Sequence, residues 1–271
     1  MSFLAHIPNA RSAPKLSPNS LRAHLSQSHP TPLHIPGLVS HWKASSWKLP
    51  LIELREAIGE DKEVEVEFGP RGRGYLDKDY KRVSIGFGLF LDAFILDKIP
   101  NTSPNLTIAY LAQSDIDNPE LLKAMPELEH FSCGPRGQNF RRALWIGPDG
   151  TFTPFHKDPY IGLYIHLIGR KRFFLLPPDA RQYLDISPNP PYTNTSQIPL
   201  PVTRLLSDTP SEDVPPDILD RYRRLLLEAI KMNSACQVGL NAGESVLIPE
   251  GWWHSAEGVG GPGLGVNAWF R

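Results

Sequence analysis

The chain has 271 residues, with 28 basic and 29 acidic side chains that leave a formal net charge of −1. An apolar fraction of 41% in a chain of this length supports one large domain or two small ones with a sizeable core. The charge balance excludes a global basic footprint for nucleic acid or an anionic membrane, and two cysteines, Cys133 and Cys236, make neither a disulfide framework nor a zinc ribbon.

The first residues, MSFLAHIPNARSAPKLSPNS, lack the long apolar core of a secretory leader, and no run of about 18 apolar residues follows anywhere. With two unpaired thiols, this points to a reducing compartment, cytoplasmic and/or nuclear. Residues 1–30 are polar and aperiodic and read as a flexible arm. Residues 31–271 read as a single domain, with mixed helices and strands over 31–140 and a strand-rich core over 141–271. The 28 prolines punctuate the whole chain, which suits short strands joined by turns.

Within the first part, PLHI reads as a short strand and PLIELREAIG as a short helix ending at Gly59. KEVEVEFG alternates strictly, placing Val64, Val66 and Phe68 on one face and the acids on the other, a strand pattern. SIGFGLFLDAFI reads as a helix, LTIAYLA as a strand carrying Tyr110, and NPELLKAMPEL as a helix capped by Asn118. From Arg141 the texture becomes strand and turn. GPDG marks a tight turn before TFTPFH, and DPYIGLYIHLIG and KRFFLLPP read as a hairpin around Gly169 and Arg170. DILDRYRRLLLEAIKMN is a long helix with Ile218, Tyr222, Leu225, Leu226 and Ala229 on one face. ACQVGLNAGESVLIPEGWWHSAEG and GLGVNAWF return to strands.

Residues i and i+2 of a strand share a face, so His156 and Asp158 present an imidazole and a carboxylate side by side. His254, in SVLIPEGWWHS, completes a two-histidine, one-carboxylate set that leaves coordination positions open. That suits Fe(II), although zinc sites use related ligands and the triad alone does not choose between them. An H-x-D pair is common on solvated strand edges, and a histidine after two tryptophans is commonly packed core. The conjunction of all three in a β-rich segment favours a metal site. Lys171, fifteen residues after His156, opens the second strand of the expected hairpin. Inside a barrel of apolar strands a lysine needs an anion, which a dicarboxylate supplies. Thr153 and Tyr110 offer hydroxyls to the same group. Read blandly, Lys171 belongs to the surface turn GRKR and Tyr110 to the core.

TFTPFHKDPYIGLYIHLIGRKRFFLLPPD together with SVLIPEGWWHSAEG and VNAWF resembles the jumonji-C, cupin-like, 2-oxoglutarate oxygenases. The likeness extends from about Pro32 to Arg271 through PLHIPGLVSHWKASSWKLP, IAYLAQSDI and PYTNTSQIPL, and is nearest to the small protein-hydroxylase branch with arginyl and lysyl hydroxylases. It implies a mainly β fold, a double-stranded β-helix or jelly roll with peripheral helices in an α+β periphery. It implies Fe(2+) on His156, Asp158 and His254 as the catalytic centre, with O2 and 2-oxoglutarate as cosubstrates. Lys171, Thr153 and Tyr110 would then grip the distal carboxylate of 2-oxoglutarate, and Asn267 on the final strand would approach its metal-bound end. The implied activity is a dioxygenase that hydroxylates a protein or peptide side chain and releases succinate and CO2. Alternatives are a catalytically weak binding module, a lysine demethylase or a zinc hydrolase. Relatives of this branch often carry asparagine six residues after the first histidine. Gly162 stands there, with Tyr164 on the same face and His166 read as a satisfied core histidine. The chain ends just past its last strand, so a monomer is expected and a dimer through C-terminal helices is not. Neither direct nucleic-acid nor membrane partners are expected.

Overall fold

The computed structural model describes residues 3–100, 107–207 and 214–271. The lead segment is packed, which corrects the reading of residues 1–30 as a loose arm. Strand β1 (Arg11–Ser12) runs parallel to β2 (Leu33–Pro36). Helix α1 (Pro18–Leu25) is capped by the Ser17 hydroxyl, which accepts from the Ser20 amide at 3.2 Å, with Pro18 in the first turn where no amide hydrogen is needed. Its Leu21 and Leu25 are buried, and further upstream the Gln237 side-chain amide donates to the carbonyls of Leu4 and Ile7. Anchors this sparse carry no period, which is why the segment reads as featureless.

Helix α2 (Ile52–Ile58) ends at Gly59, whose φ of +99° suits glycine at a helix terminus. Strand β3 (Glu63–Pro70) buries Val64 and Val66 on one face, as its alternation predicts. The stretch expected to be helical from Ser84 divides: β4 (Lys81–Gly86) ends inside it, and α3 (Phe87–Phe90) then widens into a π turn, Leu91–Ile95. Strand β5 (Thr107–Asp115) carries Tyr110, and α4 (Pro119–Ala124) is capped by Asn118. The core strands are β6 (Asn139–Gly147), β7 (Phe152–His156), β8 (Ile161–Ile168) and β9 (Arg170–Leu176). After α5 (Val202–Leu205) and α6 (Pro216–Ile230) come β10 (Cys236–Asn241), β11 (Glu244–Ile248), β12 (Trp253–Gly258) and β13 (Gly263–Phe270).

These strands form two facing sheets, one in the order β1-β2-β11-β8-β13-β6-β5-β3-β4 and one in the order β10-β9-β12-β7. Within the large sheet, β11-β8-β13-β6 opposes the four strands of the small sheet, so consecutive strands from β6 to β13 supply both layers of a jelly roll. Strands β8 and β9 are therefore no hairpin. β8 pairs with β11 and β13, while β9 pairs with β10 and β12. Gly169, at φ +80°, turns the corner between sheets, and a Cβ there would lie 2.2 Å from the Pro262 carbonyl oxygen. A hairpin turn and a sheet-to-sheet corner carry the same local glycine signal; long-range pairing decides between them.

Outside the large sheet, Ile161, Leu163, Ile165 and Leu167 of β8 join Val64, Leu144, Val266 and the N-terminal helices in one core. Outside the small sheet, Phe155, Phe174 and Trp253 pack on α5 and α6. Helix α6 buries Leu219, Tyr222, Leu226 and Ala229, whereas Ile218, expected on that face, is 39% exposed. Adjacent positions lie about 100° apart on a helix, and the row Leu219–Tyr222–Leu226 centres the apolar stripe one residue later. Between the sheets, Phe173, Leu175, Val238 and Leu240 meet Val246 and Ile248 and close one end of the barrel. The other end is open and polar. Among the described residues no helix is long and apolar enough to cross a membrane.

Candidate metal centre

At the open end, His156 is the last residue of β7 and pairs directly with His254 on β12. Ladder pairing sets the imidazoles side by side, with ring centroids 4.1 Å apart. Asp158 lies beyond the end of β7 and not on the strand that the sequence reading assigned it. The segment stays extended because residues 194–196 run beside it: the Lys157 amide donates to the Asn194 carbonyl at 3.1 Å, and His156 bridges Thr195. The i, i+2 relation therefore survives. Lys157 turns away and lies over the Trp253 ring at 5.2 Å. One Asp158 oxygen is 3.9 Å from His156 Nε2 and the other is 3.8 Å from His254 Nε2.

The tautomers follow from the backbone. Nδ1 of His156 is 3.0 Å from the Pro154 carbonyl oxygen, and Nδ1 of His254 is 3.2 Å from that of Trp252. A carbonyl only accepts, so each Nδ1 carries the proton and each Nε2 lone pair faces Asp158. Burial pushes the His254 imidazole down to about 4, which keeps it neutral and ligand-competent. Burial opposes ionisation of Asp158 too, but the positive charge that the two imidazoles carry when protonated, together with a hydrogen bond from Trp269, holds its carboxyl below the ordinary value. Trp269 Nε1 donates to Asp158 Oδ2 at 2.7 Å. With the Asn267 amide nitrogen turned to the Leu163 carbonyl (3.2 Å), the Asn267 oxygen sits 3.0 Å from the same indole nitrogen. Among the described residues these three are the one cluster whose ligand atoms fit a single ion, all within 4.8 Å of one another. Two neutral imidazole nitrogens and one carboxylate, grouped on one side, fit a divalent transition metal with positions left open toward the cavity. Replacing Trp269 by phenylalanine is expected to keep the fold and weaken metal affinity about 10- to 100-fold, read by competition with a chelating dye.

The cavity at this end has a volume of about 330 Å³ and takes in all seven side chains singled out from the sequence: Tyr110, Thr153, His156, Asp158, Lys171, His254 and Asn267. Lys171 is buried on the inner face of β9. Its ammonium donates to the Tyr110 hydroxyl at 2.8 Å and lies 5.2 Å from the Tyr110 ring, 5.8 Å from Trp145 and 5.2 Å from Tyr164. No carboxylate pairs with it among the described residues, and burial pushes it down to about 7. It reaches the cavity from the small sheet, the one that also carries His156 and His254, because the chain changes sheets at the Gly169 corner instead of folding back in a hairpin. Thr153 shares the inner face with His156 although an odd spacing separates them. Between His254 and Ala256 the ladder shifts by one residue, and this β-bulge in β7 re-aims Thr153.

Gly162 also faces inward. A Cβ there would meet the Asn267 side chain at 3.7 Å and Ile248 at 3.8 Å, so the position has room that the chain leaves open. His166, expected to be satisfied, is buried; its Nδ1 lies 3.4 Å from the Tyr164 hydroxyl, the Gly169 backbone lies near the ring, and Nε2 has no well-formed hydrogen bond among the described residues. The sequence reading missed Trp269 and Glu67. Trp269 lies two residues after Asn267, on the same strand face, so period two could have found it. Glu67 stands on the acidic face of β3, which continues into the cavity wall.

A double-stranded β-helix with two imidazoles and a carboxylate at its open end defines a cupin-type metal-site protein. The profile of the Cupin-like domain family matches residues 18–271, and the chain belongs to that family. It is similar to Lysine-specific demethylase JMJ32 of Arabidopsis thaliana, at 29% identity over 279 aligned residues covering 92% of this chain and 77% of the relative. It is also similar to Lysine-specific demethylase JMJ30 of Arabidopsis thaliana, at 26% identity, where 89% of this chain spans 50% of the relative. A third relative is the Bifunctional peptidase and (3S)-lysyl hydroxylase JMJD7 of Homo sapiens, at 26% identity over 89% of this chain and 81% of the relative. The jumonji-C resemblance read from the sequence accords with all three.

Proposed function

We propose that the chain is an Fe(II)- and 2-oxoglutarate-dependent dioxygenase that hydroxylates an amino-acid side chain of a protein or peptide. The observation that carries this reading is a buried lysine with no anion partner among the described residues, in the same cavity as the three-ligand cluster. A cation so placed asks for a carboxylate, and the open metal positions ask for a second donor group on the same small molecule; 2-oxoglutarate has both ends. When bound, iron and 2-oxoglutarate would supply the oxidising chemistry: O2, 2-oxoglutarate and a C–H bond give C–OH, succinate and CO2.

The chain's own residues would do the rest. Lys171 and the Tyr110 hydroxyl would receive the distal carboxylate, with Thr153 as a further hydroxyl donor. The rings of Tyr110, Trp145 and Tyr164 keep water from the ammonium, which strengthens its pull on an anion. The backbone carbonyls of Pro154 and Trp252 hold the imidazole tautomers, and Trp269 holds the carboxylate. Asn267 would meet the metal-bound end of the cosubstrate beside the space at Gly162.

A polypeptide substrate is supported by the relatives, whose names are lysine-specific demethylases and a lysyl hydroxylase. Those names also favour a second reading, oxidation of an N-methyl carbon, whose hydroxylated product breaks down to formaldehyde. The buried free thiols of Cys133 and Cys236 accord with a cytoplasmic or nuclear setting, and the chain is read as acting as a monomer. Succinate formation from 2-oxoglutarate with Fe(II), with and without lysine- and arginine-containing peptides, tests the reading. Iron-dependent succinate with a 16-dalton gain on the peptide (about one oxygen atom) is expected. Formaldehyde from a methylated peptide would select the second reading, and no iron-dependent succinate would overturn both.

A further inference from the structure

A second cavity, of about 520 Å³, opens beside the metal cavity, and Gln113 lines both. Its origin is a fork in the large sheet. The ladder between β3 and β5 covers only Glu67–Pro70 against Thr107–Tyr110. Beyond Tyr110, β5 bulges between Leu111 and Ser114, where Gln113 takes φ +59°, and then follows β6. Strand β3 keeps an unbroken register with β4. Its residues Glu63–Val66 pair with β4 on one side and have no ladder partner on the β5 side among the described residues. The fork thus leaves a wedge with a free strand edge along one wall.

Natural sheets cover or blunt such an edge, and a free one is a template for an added strand. The face of β3 that lines this route is acidic. Val64 and Val66 are buried against the core, while Glu63 and Glu65 stand out and Glu67 enters the metal cavity, so carboxylates step outward from the site at about 7 Å intervals. Asp115 and Asp117 face them across the wedge. These five carboxylates outnumber the nearby cations Lys62, Arg82 and Arg141, of which Arg82 pairs with Glu65 at 3.3 Å and Arg141 pairs with Asp115. Glu67 is short of donors: its nearest cation is Arg82 at 3.8 Å, no hydrogen bond reaches its carboxylate among the described residues, and burial lifts it to about 7.

We propose that this wedge receives an extended, basic segment of polypeptide as an added strand on β3, with one of its basic side chains entering the metal cavity past Gln113 toward Glu67. Main-chain hydrogen bonds to the free edge would fix the segment's position, and the carboxylate row would set its charge preference. The proposal rests on the polypeptide-oxygenase reading above and names the class of substrate that reading leaves open.

The test is fluorescence polarisation of the full chain with three labelled decapeptides: alternating Lys and Thr, alternating Glu and Thr, and the Lys–Thr peptide N-methylated at every second amide. The Lys–Thr peptide is expected to bind about tenfold or more tightly than either of the others, and Glu65→Lys, an exposed substitution, to weaken it by about tenfold. Equal binding of the N-methylated peptide would overturn strand addition. Equal binding of the Glu–Thr peptide, or indifference to Glu65→Lys, would overturn the basic-segment assignment. Polarisation does not depend on turnover, and succinate formation without peptide is followed in parallel. A failure of docking therefore reads separately from a failure of the oxygenase reading.

Discussion

Replacing Lys171 by methionine is expected to cost the chain its affinity for 2-oxoglutarate by about 100-fold or more while leaving the free protein as stable as before or more so. The two effects have one cause. The ammonium sits among three aromatic rings with a tyrosine hydroxyl as its hydrogen-bond partner and no anion among the described residues. Burial lowers it from 10.5 to about 7, and each pH unit corresponds to about 1.4 kcal/mol against the charged form. Methionine fills a similar volume without that penalty. The pH dependence has a definite sign. Below about pH 7 the lysine is protonated both folded and unfolded, so the penalty is present in full. Between about 7 and 10.5 the unfolded chain holds a proton that the folded chain has released, so stability rises with pH. A bound dicarboxylate restores the charged form. At pH 8, binding of 2-oxoglutarate is therefore expected to take up a proton, seen as a calorimetric enthalpy that varies with the buffer in the wild type and not in Lys171→Met. The groups that touch the ammonium stay neutral in this range, because burial raises Tyr110 and Tyr164, and nearby His166 is lowered to about 3; Glu67, in the same cavity and lifted to about 7, is mostly ionised by pH 8.

His254→Ala is expected to abolish iron-dependent succinate formation and to lower metal affinity by more than about 100-fold, beyond the effect of removing an outer partner such as Trp269. His254 is the most buried of the three ligands, with side-chain exposure of 7% against 17% for His156 and 22% for Asp158. Its ring is fixed on two sides, by the Trp252 carbonyl at Nδ1 and by the His156 ring across the ladder. Alanine leaves two donors, and an ion held by two donors has no fixed geometry at which to present a cosubstrate. The fold is expected to survive, because His254 lies at the open end and the small sheet's packing rests on Phe155, Phe174 and Trp253. Chelator competition and far-ultraviolet circular dichroism together separate lost metal from lost fold.

The alternation in Glu63–Phe68 and the His156–Asp158 spacing were legible because strand period acts locally: it sorts faces without reference to the rest of the fold. The same rule placed Tyr164 and His166 on the inner face of β8. What period could not supply was pairing between strands distant in sequence. Gly169 is a positive-φ residue in either a hairpin or a corner, and the partners of β8, namely β11 and β13, lie roughly 70 to 110 residues further on, read from their residue ranges. Thr153 reached the site through a bulge whose cause is the opposite strand. On α6, Leu219 and not Ile218 faces inward, because phase within an apolar run is set by what the helix meets. Glu67 was visible only as one of several acids on a strand face. Its place in the cavity wall depends on β3 joining the far edge of the large sheet through β5.

The most direct measurement is anaerobic calorimetry of 2-oxoglutarate with the Fe(II)-loaded chain, the metal-free chain and Fe(II)-loaded Lys171→Met. One-to-one binding that needs both the metal and Lys171 is expected. Binding to the wild type that is indifferent to both, or absent from the loaded wild type, would contradict the assignment of this cavity to 2-oxoglutarate.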